Sequence, residues 1–188
     1  DGSNRGSFLK WVSTQTDSNN IIIAIEPDKS IVDYNNNLPK NVKFQFGYLE
    51  DIKFNNIKFD FIYSSHTFEH VNSIYDHLLS LDNISKMGTI MFVDMPNADD
   101  LNNSLVIEEF FVDKHNFHYF PEYFNDLMYC FGYTLINDFS DSYNITSIYK
   151  KTNKKNIKQR LKGNYFGKSI SLVKTYKKNL NTNLKSIR

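Results

Sequence analysis

Short apolar runs alternate along the chain with segments whose apolar positions recur every three or four residues. The apolar and alternating runs predict strands at 21–25, 42–46, 59–63 and 89–93, with a closing pair at 134–136 and 145–149. The helical spacing predicts helices from Phe8 onward and at 29–34, 72–84 and 122–131. Strands that alternate with helices pair in parallel through right-handed crossovers, so we predict an α/β, doubly wound domain with a mostly parallel sheet.

Polar residues follow three successive strand positions of this pattern: the glycine turn at 2–6, Glu26, and the Glu50–Asp51 pair. In open α/β sheets, ligands bind beyond the carboxyl ends of the strands. A glycine turn that opens a helix presents free N–H groups to a phosphate or a carboxylate. Glu26 follows that turn by roughly 20 residues, where a carboxylate accepts hydrogen bonds from a ribose diol and disfavours a 2′-phosphate. An ordinary strand-to-helix turn and solvated acids are the alternatives.

The glycine turn is of a kind that normally follows a buried strand, and the sequence begins at Asp1 without one. We therefore expect the first strand of the sheet to be missing and the chain to be a fragment. Asp51 follows the next strand end, where it would accept a hydrogen bond from an adenine amino group.

Composition narrows the class of protein. The 188 residues are 40% apolar and 15% aromatic, which suits one domain with a real core. A single cysteine, Cys130, excludes an internal disulfide and a cysteine-based metal cluster. No apolar run approaches the ~20 residues of a membrane span. We expect a soluble, cytoplasmic protein. The sequence contains neither a complete phosphate-binding Gly-Lys loop nor a serine nucleophile elbow.

Acidic and basic residues are unevenly distributed along the chain. Residues 1–149 carry a net charge of −12, whereas 150–188 contain 13 basic residues and no acidic one. We predict a ligand-binding domain at 1–149 and a basic C-terminal extension at 150–188. The extension is read first as a solvated helix. Alternatively, it binds nucleic acid or an anionic membrane, or it covers an acidic body, its own or a partner's.

Four motifs together resemble class I S-adenosylmethionine-dependent methyltransferases: Gly2–Gly6, Ile25–Asp28, Gly47–Ile52 and Phe59–Val71. The last, Phe-Asp, three apolar residues, Ser-Ser and then Glu-His-Val, is the most typical of the family's small-molecule members. The resemblance covers residues 1–149 and implies a Rossmann-like fold with S-adenosylmethionine as cofactor. The first loop and residues 113–120 are similar to the branch that methylates sugars and related metabolites.

The resemblance also implies cofactor-binding residues. They are Asp1, Gly2, Ser3, Asn4, Gly6, Glu26, Pro27, Glu50, Asp51, Ile52, Ser64, Ser65 and His66. The sequence departs from the family pattern in two places. The usual acid stands two residues before the first glycine, whereas Asp1 adjoins Gly2, and Tyr48 occupies a position that is often acidic. Acidic contacts at the second position therefore depend on Glu50 or Asp51.

Methyl transfer to a protonated acceptor needs a base, and histidine titrates near neutral pH. We predict His115 and His118 as catalytic residues, because they lie in an aromatic run after the strand at 89–93. The alternatives are structural histidines or a metal pair. No third ligand lies nearby in sequence, so we predict no metal site. His70 is read as structural, and His77 as an ordinary helix residue.

These observations predict methyl transfer to a small polar acceptor, a sugar or related biosynthetic intermediate, by a protein that could form a homo-oligomer. A catalytically silent binding or assembly module is one alternative. An RNA methyltransferase that uses the basic extension is another. It lacks the Asn/Asp-Pro-Pro-Tyr/Phe signature of base-modifying enzymes, since residues 64–67 read Ser-Ser-His-Thr.

Overall fold

The computed structural model describes residues 6–17, 19–34, 40–99, 115–156 and 165–186. Strands and helices alternate through most of the chain. The helices are α1 (Ser7–Gln15), α2 (Lys29–Tyr34), α3 (Ile74–Ile84), α4 (Pro121–Cys130) and α5 (Tyr165–Ser186). The strands are β1 (Ile22–Glu26), β2 (Val42–Phe46), β3 (Phe59–Ser65), β4 (Ser85–Pro96), β5 (Tyr133–Asp138) and β6 (Asn144–Lys151). Single 3₁₀ turns occupy Leu49–Asp51 and Phe68–His70.

The strands form two hydrogen-bonded sheets within the described residues. β1 pairs in parallel with β2, and the second sheet has the order β3-β4-β6-β5. In that sheet β3 and β4 are parallel, whereas β6 is antiparallel to both β4 and β5. The short connection from β5 to β6 allows only an antiparallel pair. The α/β, Rossmann-like class is therefore confirmed, with an antiparallel edge and with β1 and β2 in a sheet of their own.

The core lies on one face of the larger sheet. Alternate residues of β4, Thr89, Met91, Val93 and Met95, are fully buried, as expected for a strand with one face against a core. α3 and α4 cover this face with apolar stripes that include Leu78, Leu81, Phe124 and Met128. This packing fixes the carboxyl ends of the strands, where the predicted site residues lie.

Gly132 ends α4 in the left-handed conformation, with φ of 80°. A Cβ atom at this position would lie 2.1 Å from the carbonyl oxygen of Asn153. The Gly132 carbonyl also accepts hydrogen bonds from the N–H groups of Thr152 and Asn153. The end of α4 is thus held against the segment that follows β6, and no side chain fits between them.

The basic segment begins inside the fold. β6 runs to Lys151, two residues past the boundary predicted at 149, and the Lys151 side chain is buried. Further along, α5 packs on the acidic body, because Leu172 lies in a small apolar cluster with Ala98 and Phe120. Among the described residues, no helix is long and apolar enough to cross a membrane.

Candidate functional site

A cavity of about 1440 Å³ lies at the carboxyl ends of β1, β2 and β3. Its walls come from the start of α1, the segments after these three strands, α3 and the segment before α4. This volume exceeds the roughly 300–1,000 Å³ typical of small-molecule pockets. It is large enough for a nucleoside-type cofactor together with a second small molecule. Predicted residues that line it are Gly6, Glu26, Pro27, Glu50, Ser65 and His66.

The start of α1 forms one end of the cavity. Gly6 is buried, adopts the left-handed conformation at φ of 71°, and accepts the N–H of Lys10 as the first bond of the helix. Gly6 and Ser7 both line the cavity. The other residues predicted in this loop, Asp1, Gly2, Ser3 and Asn4, lie outside the described residues.

Glu26 ends β1 and points its carboxylate into a turn. The side chain is only 7% exposed, and its Oε1 accepts the N–H of Asp28 at 3.1 Å. Its backbone carbonyl accepts the N–H of Gly47 at 3.0 Å, which holds the ends of β1 and β2 together. A buried acceptor at this strand end suits a ligand that donates hydrogen bonds, such as a ribose diol.

Glu50 and His77, which both line the cavity, form a hydrogen-bonded pair. Their Oε1 and Nδ1 atoms lie 2.9 Å apart, and His77 is 2% exposed. Burial raises the pKa of Glu50, but the hydrogen bonds from His77 and from its own backbone outweigh burial, so that the pKa is lowered overall. Glu50 is therefore a carboxylate that faces the cavity at neutral pH.

Three predicted cofactor residues do not line the cavity. Asp51 is exposed, Ile52 packs against the core, and Ser64 is fully buried within β3. Side chains of successive strand residues point to opposite faces, so only one of Ser64 and Ser65 can face the ligand side. Of the two acids that the sequence left open, the structure brings Glu50 and not Asp51 to the cavity.

His66 follows β3 in the left-handed conformation, with φ of 48°. Its N–H donates to the carbonyl of Asp94, and its Nδ1 lies 3.2 Å from Oε1 of Glu69. The hydrogen bond to Glu69 raises the pKa of His66 against the opposing effect of burial, with further support from the charge of Asp94. A left-handed residue other than glycine or asparagine is uncommon and costs free energy, which marks this strand end as a constrained position.

The predicted catalytic histidines lie behind the cavity wall. The His115 ring is 4.8 Å from the His70 ring, and His70 lines the cavity. The His118 ring is 6.1 Å from that of His115. Burial and the neighbouring His115 lower the pKa of His118, although Glu69 opposes them. Neither His115 nor His118 lines the cavity itself, whereas Asn116 between them does.

The sequence analysis did not predict two of the histidines that line the cavity, His70 and His77, as site residues. His77 has a readable signal, since it shares the buried stripe of α3 with Leu78, Leu81 and Ile84, and a buried imidazole needs a polar partner. His70 lines the cavity although it was read as structural. Its only sequence signal is its place directly after Glu69 in the Glu-His-Val motif.

A Rossmann-like α/β fold with such a cavity at its strand ends agrees with the class I S-adenosylmethionine-dependent methyltransferases. The family model described as "Methyltransferase domain" matches residues 2–138, and the chain belongs to this family. A search of curated protein sequences found no match.

Solved structures of methyltransferases share the fold. One is the complex of the Haloferax volcanii Trm112 methyltransferase activator with a proposed methyltransferase (TM-score 0.67, 10% identity, 81% of this chain and 80% of that chain). A second is an S-adenosylmethionine-dependent methyltransferase from Aquifex aeolicus (0.64, 16%, 80% and 79%). A third is the plantazolicin methyltransferase BpumL in complex with a triazolic desmethylPZN analog and S-adenosylhomocysteine (0.66, 13%, 81% and 75%).

The cavity suits S-adenosylmethionine, the cofactor that the resemblance implies. A buried carboxylate at the end of β1 matches a ribose diol, and the exposed Tyr48 and half-buried Ile31 add apolar surface for a purine. Gly6 and Ser7 at the start of α1 would face the methionine portion.

Proposed function

We propose that this methyltransferase acts on a small polar acceptor, of the sugar or biosynthetic-intermediate class, bound in the same cavity as the cofactor. The observation that carries the proposal is a group of polar side chains from the segments after β3 and before α4, here called the polar wall of the cavity. It is built by His66, Thr67, His70, Asn72 and Asn116, which contribute side chains able to donate and accept hydrogen bonds. An acceptor rich in hydroxyl groups suits such a wall better than an apolar one does.

The two carboxylates, Glu26 and Glu50, and the polar wall have separate tasks in this proposal. Glu26 and Glu50 hold and orient the cofactor, which supplies an electrophilic methyl group when it is bound. The polar wall orients the acceptor, and positioning of two reactants can lower a barrier by about 7–11 kcal/mol. His115 and His118 remain the proposed bases. The His115 ring contacts the His70 ring, the His118 ring contacts that of His115, and both residues belong to the segment that carries Asn116.

Calorimetric titration with S-adenosylhomocysteine is the first test, and we expect micromolar binding. Turnover with S-adenosylmethionine and a panel of sugars, nucleotide sugars and hydroxy acids is the second. His118→Gln should lower turnover by about 10²–10⁴ on an acceptor that must lose a proton, while affinity for S-adenosylhomocysteine stays unchanged. Absence of binding at millimolar ligand would instead favour a silent binding or assembly module.

A further inference from the structure

Three potential metal ligands from two separate segments meet beside the cavity. One ligand atom each of Glu69, His70 and His115 lies within 4.8 Å of the others. Backbone hydrogen bonds fix this meeting, because the N–H groups of Asn116 and Phe117 both donate to the Glu69 carbonyl, at 2.7 and 3.1 Å. The segment that leads into α4 is thus attached directly to the 3₁₀ turn that carries Glu69 and His70.

Glu69 is the least expected member of this group, since its side chain is only 2% exposed. Its Oε2 atom has no hydrogen-bond partner in the described part of the chain. The groups near its Oε1 atom are imidazoles: His66 Nδ1 at 3.2 Å and His70 Nε2 at 3.7 Å. No lysine or arginine of the described residues forms an ion pair with it. A buried carboxylate is costly unless a cation or donors compensate it.

We propose that Glu69, His70 and His115 bind a divalent transition metal ion such as Zn²⁺ or Mn²⁺. A carboxylate with two neutral imidazoles is a donor set that such ions favour, and three protein ligands leave coordination positions open. Metal–ligand bonds of about 2.0–2.2 Å place tetrahedral ligand atoms about 3.4 Å apart. The three atoms must therefore approach by roughly an ångström, which rotation of the half-exposed histidine side chains allows.

The neighbouring side chains suit a supporting role. His66 contacts the same carboxylate at Oε1, and Asp94 lies 3.6 Å from His66 Nε2. Glu69, His66 and Asp94 thus form a chain of contacts. A histidine and a carboxylate that stand behind a metal ligand in this way orient it. The prediction of no metal site relied on the absence of a third ligand close to His115 and His118 in sequence. The fold supplies two ligands from about residue 70 instead.

The proposed ion would also bear on the reaction. His70 lines the cavity, so a bound ion would lie at its polar wall and could coordinate a hydroxyl or carboxylate oxygen of the acceptor. Coordination lowers the pKa of such an oxygen and orients it. This step rests on the proposed function, whereas metal binding itself does not. With His115 as a ligand, His118 is left as the candidate base.

The test is titration of tag-free protein with ZnCl₂ by calorimetry and with CoCl₂ by visible absorption. We expect one equivalent to bind with micromolar affinity or tighter, and Co²⁺ to give the d–d bands of a low-coordinate nitrogen and oxygen site. Glu69→Gln and His115→Gln should each weaken binding by about 100-fold or more, because each removes a direct ligand. Asp51→Asn and Glu122→Gln are controls outside the group and should keep the wild-type affinity for the metal.

Several results would overturn the metal proposal: no saturable binding below millimolar metal, equal affinity in wild type and both ligand variants, or equal losses in the controls. Thermal melting of every variant shows whether it is folded. If the Glu69→Gln variant does not fold, the metal affinity of the His115→Gln variant decides the outcome, because His115 is only half-buried. S-adenosylhomocysteine titration of the same samples separates the two proposals, because a protein that binds this ligand but no metal refutes only the metal site.

Discussion

At the scale of single residues, Glu26 offers the sharpest test of cofactor binding, because its carboxylate is buried and faces the cavity. Glu26→Ala should weaken S-adenosylhomocysteine binding more than it disturbs folding. A ribose diol would lose up to two charge-assisted hydrogen bonds, each worth about 1.5–3 kcal/mol, or roughly 10- to 100-fold in affinity. Calorimetric titration of both proteins measures the loss.

Asp51→Ala is the matched control, since Asp51 follows the neighbouring strand but is exposed and outside the cavity. It should bind the ligand as wild type does. An equal loss in both variants would mean that overall charge matters and not the position of Glu26. Unchanged affinity in Glu26→Ala would remove this residue from the site.

The Glu50–His77 pair gives a second prediction at this scale, and it concerns pH. The pKa of Glu50 lies below its ordinary value of 4.5 in the folded protein. A group with a lowered pKa stabilises the fold above its unfolded-state pKa, and this contribution is lost as pH falls through the folded value. Glu50→Gln should therefore cost about 1 kcal/mol near pH 7 and progressively less below pH 4.5.

Urea unfolding of wild type and Glu50→Gln across this pH range tests the prediction, because the difference between them cancels other titrating groups. Asp51→Asn, one residue away and exposed, should show no such pH-dependent difference. A cost for Glu50→Gln that stays constant from pH 7 to pH 3.5 would contradict the proposed role of the Glu50 charge.

At the scale of elements, local pattern predicted most of the helices and strands, and non-local pairing decided the rest. The prediction for β2 agrees with the structure, since its alternation is complete within the strand. β4 was predicted at 89–93 but runs from Ser85 to Pro96. Residues 86–88 near its start, Lys-Met-Gly, are exposed and carry no alternating pattern, and pairing with β6 extends its far end to Pro96. The grouping of Glu69 with His115 was equally out of reach, because it depends on how two loops pack.

A largely buried ion pair joins the end of β6 to α3, and the same lysine contacts the end of α4. Lys151 at the end of β6 donates to Asp82 of α3 at 2.5 Å and to the carbonyl of Phe131, and it lies 4.6 Å from the centre of the Tyr133 ring. Lys151→Met should destabilise the fold by about 3–5 kcal/mol, because it leaves Asp82 with less compensation in a partly buried site. Chemical denaturation measures this cost.

The double variant Lys151→Met with Asp82→Leu should recover much of this stability, since it removes both charges together. Lys155 also contacts Asp82, at 3.3 Å, but is more exposed, so Lys155→Met should cost far less. A loss in Lys155→Met equal to that in Lys151→Met would show that net charge, and not the buried contact, matters.

At the scale of the whole molecule, the acidic body and the basic extension meet through α5. Lys168 contacts Asp99 at 3.1 Å and Glu122 at 2.6 Å, and Leu172 packs one turn further along the helix. This arrangement favours the reading in which the extension covers its own acidic body. Other lysines of α5, such as Lys174 and Lys177, are exposed in the structure.

The contacts of Lys168 predict how firmly α5 is held on the body of the protein. Lys168→Met should loosen α5 and increase hydrogen exchange of its amides several-fold, since surface ion pairs of this kind contribute at most about 1 kcal/mol each. Lys174→Met, which removes an exposed charge of the same helix, should leave exchange unchanged. Raising salt from low to high should loosen the wild-type helix and affect Lys168→Met less, because screening acts on a contact that the variant lacks.

Binding of single-stranded RNA should be weak and should fall with salt through counterion release. Tight RNA binding that disappears when Lys174 and Lys177 are replaced by glutamine, with α5 docking intact, would instead assign the exposed face of α5 to nucleic acid.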